Sequence, residues 1–258
     1  MKIYIVTDLE GVTGVFKFAQ TREKGTPEFH EAMRLLMGDI AAVAEGLRQG
    51  GATEILVLDG HDGGDNFIPE CMVAGVQYVT GRPRPALLQE LDRSFAGVVL
   101  LGLHAMNGTP DGVLHHTQSS LAEAKYWYDG VEQGEIYQSA VLAGHFDVPV
   151  ILVTGDAAAC REARGLLGDD LPTVAVKRGI SREAAVLLAP AETRPMLAEG
   201  ARRAMVGLSR RRPLKPAFPV ALRLRELRNR DSTLEQSWFT EREAQVKCGL
   251  DILRGSPA

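Results

Sequence analysis

The residues that invite a chemical reading stand where short apolar runs end. Ile3–Val6 leads into Asp8 and Glu10, with Gly11 behind them; the run at 54–58 leads into Asp59 and His61; the run at 97–101 leads through Gly102 to His104. Carboxylate and neutral imidazole are the donors that suit zinc and manganese, and a carboxylate has two oxygens with which to bridge two ions. Asp8 and Glu10 are two residues apart, so an extended backbone points both side chains to one side. An aspartate after a strand is ordinarily a turn former or helix cap, and a single histidine is ordinarily unremarkable. What carries weight here is their conjunction at three successive strand ends. Asp59 has two readings, as a residue that orients its loop or as the partner of the second ring nitrogen of His61.

Two further features join this set. The stretch Gly108–Thr117 holds His115 and His116 after a turn rich in Gly and Pro. A histidine there can carry a proton near neutral pH, because its ordinary pKa is about 6.5. Glu135 follows Gly134 at the expected start of a helix, where a carboxylate is favourable at the positive end of the helix dipole, so from position alone capping is its simpler reading. His145 precedes the strand at Pro149 and falls at the opposite edge of the sheet.

The elements that must position these groups can be read from the pattern. Short β-branched runs alternate with longer helical stretches, which implies βαβ units and an α/β fold with a mainly parallel sheet covered by helices on both faces. Strands are expected at 3–6, 54–58, 97–101 and 149–153, with others at 173–176 and 220–224. In such a sheet, ligands bind outside the carboxyl ends of the strands, which is where the carboxylates and imidazoles fall. The first long helix is signalled by Thr26 as cap, Pro27 in its first turn and Glu28 beside it. Met33, Leu36, Ile40, Val43 and Leu47 form its apolar stripe and Gly50-Gly51 ends it. Further helices are expected over 135–143 (after a polar strand-like pair), following Asp156, and over 182–188. Prolines at 213, 216 and 219 and a rise in Arg and Glu divide the chain into a catalytic domain, 1–206, and a connector with a smaller C-terminal α+β segment, 207–258.

Composition sets the outer bounds. The 258 residues carry 29 Lys plus Arg against 33 Asp plus Glu, a formal charge of −4. That balance gives no electrostatic footprint for nucleic acid. Cys71, Cys160 and Cys248 are too few and too scattered for a disulfide framework or a Cys-x-x-Cys metal pair. No apolar stretch approaches the roughly 20 residues that span a bilayer, and the N-terminus reads as a strand and not as a signal peptide. The expectation is a cytoplasmic protein without nucleic-acid or membrane partners. No G-x-G-x-x-G or Walker-type loop follows the first strand, which weighs against a nucleotide-binding protein. The remaining alternatives are a metal-dependent hydrolase of another small amide or of a phosphoester, for which Arg82 and Arg84 are candidate anion contacts, and a non-catalytic metal-binding module.

The combination of Asp8-x-Glu10-Gly11, Asp59-x-His61, Leu101-Gly-x-His104, Thr109-Pro110 with Gly112-Val113-x-x-His116, and Gly134-Glu135 resembles the bacterial zinc D-aminopeptidases encoded with dipeptide transporters. The likeness continues through Asp147–Val150, Gly155-Asp156, Ala175-Val-Lys177 and Ile180-Ser-Arg182, and so covers about residues 1–190. The resemblance implies a di-zinc peptidase. Asp8 would bridge two Zn2+ ions, replaceable by Mn2+ or Co2+. Glu10 and His61 would complete one site, and His104 and Glu135 the other. His116 would be the catalytic residue. It also implies short peptide substrates with a free N-terminal D-amino acid, and a homo-oligomer of ten subunits. The chain departs from the family pattern in carrying Asp111 as an added loop residue, which brings His115 into contention with His116, and in having Ser139 where the family usually has asparagine.

Overall fold

The computed structural model describes residues 1–231 and 236–253. Seven strands form the central sheet: β1 (Lys2–Thr7), β2 (Glu54–Asp59), β3 (Gln77–Val79), β4 (Phe95–Leu103), β7 (Val150–Asp156), β8 (Thr173–Ser181) and β9 (Ala184–Leu187). Their order is β3-β2-β1-β4-β7-β8-β9, parallel throughout except for the β8–β9 pair. The chain steps from β1 outward to β2 and β3, then returns to the other side of β1 as β4. The topological switch point therefore lies between β1 and β4, the position at which open α/β sheets bind ligands.

Successive residues of the parallel strands pack on opposite faces, which is why these strands read as continuous apolar runs. Ile3, Ile5, Val99 and Leu101 face α2 (Pro27–Gln49) and α5 (Pro190–Gly207), against Leu36, Ile40, Leu47, Leu197 and Ala201. Tyr4, Val98, Leu100 and Val153 face α3 (Glu135–His145) and α4 (Ala157–Leu167), against Ile136, Ala140 and Ala159. A one-turn helix, α1 (Ala19–Arg22), precedes α2. The signals expected for α2 act as written: the Thr26 hydroxyl accepts from the Phe29 amide, Pro27 opens the helix and Gly51 turns the chain out with φ +95°.

A second, antiparallel sheet lies on the α3 side in the order β11-β10-β5-β6. β5 (Lys125–Tyr128) and β6 (Val131–Gln133) come from the middle of the chain, and β10 (Val220–Asp231) and β11 (Gln236–Val246) from its C-terminal part. β10 pairs with β5, Leu222 opposite Tyr128 and Leu224 opposite Tyr126. These four side chains are buried in the same cluster as α3 and the sheet face beneath it. Of the expected segment 207–258, positions 232–235 and 254–258 lie outside the described residues. The three cysteines are unpaired.

One expected element is of a different kind. Residues 182–188 do not form a helix: β8 reverses at Ser181 and Ala184–Leu187 return antiparallel along it, with Lys177 opposite Leu187 and Gly179 opposite Ala185. The helix begins only at Pro190, with the Glu192 carboxylate accepting from the Ala189 amide. Ala-Ala-Val-Leu is compatible with helix or strand, and the free edge of β8 decides the matter.

Candidate metal centre

The loop after β1 is pressed onto the end of β4. The Asp8 amide donates to the Leu101 carbonyl at 2.8 Å and the Gly11 amide to that of Gly102 at 2.7 Å. A Cβ on Gly11 would stand 2.0 Å from the Leu103 oxygen, and Gly102 (φ +76°) passes so close to the Asp8 carbonyl that its Cβ would meet it at 2.3 Å. Two glycines thus permit the backbone contact that sets Asp8 beside His104 across the switch point.

Asp8 occupies the middle of the cluster. His61 Nδ1 lies 3.0 Å from Asp8 Oδ1 and 3.0 Å from Glu10 Oε2. On the other side His104 Nε2 lies 3.3 Å from Asp8 Oδ2 and 3.4 Å from Glu135 Oε1. His116 Nε2 lies 3.9 Å from the same Glu135 oxygen, and its ring stacks on His104 with centroids 3.9 Å apart. Asp8, Glu10, His61, His104 and His116 are buried, and Glu135 is half-buried. The structure therefore brings together all six residues singled out in the sequence. Donor atoms of Asp8, Glu10 and His104 lie within 4.8 Å of one another, as do those of His104, His116 and Glu135.

Each imidazole is fixed by a hydrogen bond on its far nitrogen. His61 Nε2 meets the Thr21 carbonyl at 2.9 Å, His104 Nδ1 that of Ala105 at 3.0 Å, and His116 Nδ1 that of Leu114 at 2.8 Å. A carbonyl only accepts, so each of these nitrogens carries the hydrogen, and the neutral ring turns a lone pair toward the carboxylates. Lone pair facing lone pair is repulsive unless a cation lies between. His104 Nε2 and Glu10 Oε2, both buried, make no hydrogen bond at all. Donor types, tautomers and orphaned atoms all fit divalent metal.

Without metal, protons answer the same demand. Burial disfavours the charged form of His104, yet the carboxylates of Glu135 and Asp8 overcome it and hold the ring well above its usual pKa. His61 behaves alike under Glu10 and Asp8. Burial would raise Asp8, but the two imidazoles beside it, His104 and His61, once they carry protons, hold it well below the carboxylate range. His116 is different: burial, and then the charge on His104, push it down.

The remaining candidates take distinct places. His115 is not part of the cluster. Its Nδ1 accepts from the Gly108 amide at 3.0 Å, and burial brings its pKa down to about 4. Asp111, the added loop residue, pairs with Arg161 at the surface. Asp59 orients its loop, accepting from the Asn66 amide and side chain and from Thr80, while Asn66 also donates to the His61 carbonyl. His145 is exposed at the end of α3. Arg84 is spent on the Gly63 and Gly81 carbonyls and Arg82 lies 3.4 Å from Asp62, so the anion contacts sought for a phosphoester belong to a loop. Glu135 stands in the first turn of α3 as a cap would, but its carboxylate accepts from the Gln118 amide at 2.7 Å and faces His104. Gln118 carries no signal in the sequence; Asp156, which the sequence offers as the start of a helix and as part of the family likeness, caps α4 and also accepts from the Val113 amide, tying down the His116 loop.

A parallel sheet that gathers buried carboxylates and imidazoles at its switch point is the framework of a metal-dependent hydrolase. The chain belongs to the D-aminopeptidase family Peptidase_M55, which it matches over residues 1–244. It is 33% identical over 222 residues to the D-aminopeptidase of Bacillus subtilis strain 168, a match spanning 84% of this chain and 78% of that one. Its fold is also that of the solved Zn-dependent D-aminopeptidase DppA from Bacillus subtilis, a self-compartmentalizing protease, with a TM-score of 0.88 at 26% identity over 100% of both chains.

Proposed function

We propose that this chain is a zinc aminopeptidase that removes an N-terminal D-amino acid from short peptides, with two zinc ions per chain. The observation that carries the reading is the placement of Asp8 between two imidazoles, each with its far nitrogen held by a backbone carbonyl and its near nitrogen turned to carboxylates. Asp8 would bridge, Glu10 and His61 would complete one site, and His104 and Glu135 the other. Mn2+ or Co2+ would suit the same donors. Two such ions supply Lewis acidity toward a scissile amide and bring the pKa of a water toward neutrality.

The chain's own groups do the rest. Glu10 and Glu135 supply the negative charge that receives a substrate's ammonium end. His116, its Nδ1 hydrogen held by Leu114, presents Nε2 to the cluster and is placed to take up a proton there or to steady a developing oxyanion. Burial, and then the charge on His104, push its pKa down, so the ring stands neutral. The family likeness supports the D-preference and peptide class, and the self-compartmentalizing relative supports a homo-oligomer, here read as a decamer. Among the described residues no helix is long and apolar enough to cross a membrane. A cytoplasmic location rests on the sequence signals given above.

The test joins elemental analysis to turnover. Purified protein should hold close to two zinc ions per chain and cleave D-Ala-D-Ala faster than L-Ala-L-Ala. Protein that binds no added zinc would remove the metal reading. Equal or better turnover of the L-dipeptide would remove the D-preference alone.

A further inference from the structure

Lys177 takes no part in the roles above, yet it is almost wholly buried, 2% exposed, behind the loop that carries Glu10. Its direction comes from an irregularity in β8. Gly155 pairs with Ala175 but Asp156 pairs with Lys177, so β8 holds one extra residue at this point. Val174 and Val176 point into the interior, and Lys177 follows them inward in place of alternating out, while Arg178 is exposed. Bulges of this kind re-aim a side chain and occur beside active sites.

The ammonium group turned inward by the bulge meets three acceptors on one loop. Nζ donates to the carbonyls of Glu10 at 2.6 Å, Val12 at 2.7 Å and Val15 at 2.5 Å. An ammonium has three hydrogens and no acceptor, so its capacity is used completely. Among the described residues no carboxylate is in ion-pair contact with it; Asp156, Asp39, Glu10 and Asp8 act on its charge from farther off. Burying a charge without a contact partner is costly, and removing this one would leave three inward-facing carbonyls unpaired. The convergence has a local purpose, because one of the three carbonyls belongs to Glu10 itself.

We infer that Lys177 is a positioning residue: its three bonds fix the backbone of Glu10 and the turn through Val15, and so hold the Glu10 carboxylate against His61. The inference rests on the two-ion reading proposed above. It assigns Lys177 to one side of the centre. The His104–Glu135 side is anchored by the end of β4 and the start of α3 and does not depend on it.

The experiment titrates zinc into the metal-free full-length protein against a chelating dye, for wild type, Lys177→Gln and Lys177→Arg, with His61→Ala and His104→Ala marking which ion is which. Amide hydrogen exchange of residues 11–16 is followed in the same metal-free samples. Loss of an outer partner typically costs about 10–100-fold in metal affinity. We expect Lys177→Gln to weaken by that factor the ion that His61→Ala removes, to leave the other within about twofold, and to speed exchange in the loop. Lys177→Arg should do the same, since a planar fork cannot converge on three carbonyls. If Lys177→Gln gives no cooperative melt, Lys177→Arg decides alone. Wild-type affinities in a folded variant, equal weakening of both ions, or weakening only of the ion marked by His104→Ala would each overturn the inference. Wild-type protein that takes up no zinc would strike the two-ion reading, a separate result.

Discussion

The two sides of Asp8 are built differently. On one, Glu10 and His61 lie on loops after β1 and β2, His61 is tied to the Thr21 carbonyl, and Lys177 pins the loop from behind. On the other, His104 and Glu135 are joined by a second imidazole, His116, stacked on the first and held below its ordinary pKa by burial and by its neighbour. On the reading proposed above, one side would hold its ion and the other would also carry the proton acceptor. Affinity for a cation and movement of a proton need not be supplied by the same half of a centre.

The largest expected effect comes from the residue the two sides share. Asp8→Ala should lower zinc content from about two ions per chain to none and bring turnover to background; retention of one tightly held ion would show that the halves are independent. Next is His116→Ala, which should keep both ions while reducing kcat by about 10²–10⁴-fold, the usual loss on removing a general acid–base. His61→Ala should release one ion and keep the other, separating the halves by elemental analysis. His115→Ala should cost less than about tenfold, because its ring accepts from Gly108 outside the cluster; a loss larger than that of His116→Ala would exchange their roles.

The smallest effect concerns stability behind the Glu10 loop. Asp39 on α2 accepts from the Thr13 amide, and burial raises its pKa from 3.8 to about 6. The folded state therefore favours the protonated acid, so the stability it contributes is complete below pH 4 and declines as pH rises through 6. Asp39→Asn should flatten that slope, gaining on the order of 1–2 kcal/mol at pH 7 relative to wild type, as read from urea unfolding at several pH values.

Much of this was legible in the sequence because carboxylates and imidazoles at strand ends are local signals. β1, β2 and β4 announce themselves as apolar runs, and their last residues name Asp8, Glu10, His61 and His104. Glu135 was legible only through the family likeness, since a carboxylate at N1 of a helix looks the same whether it caps or faces a histidine. The far-nitrogen partners of the imidazoles are backbone carbonyls, which every residue has and no sequence distinguishes. The strand at Ala184–Leu187 is not legible, because Ala-Ala-Val-Leu suits helix or strand and only the edge of β8 chooses between the two. The pairing of β10 with β5 leaves no trace either, since their registers are set by side chains about 95 positions apart.

That last pairing bears on how the molecule is made. Synthesis runs from the N-terminus, and Asp8, His61 and His104 can reach their places as soon as the central strands have emerged. β5 and β6 precede Glu135 by a few residues, yet until β10 arrives they are a two-stranded ribbon, which is marginally stable in water. The Glu135 half of the centre consequently gains its full backing last, after residues 220–225 have left the ribosome, and a chain clipped before that point would retain three strand ends of donors beside a helix start with no sheet completed behind it.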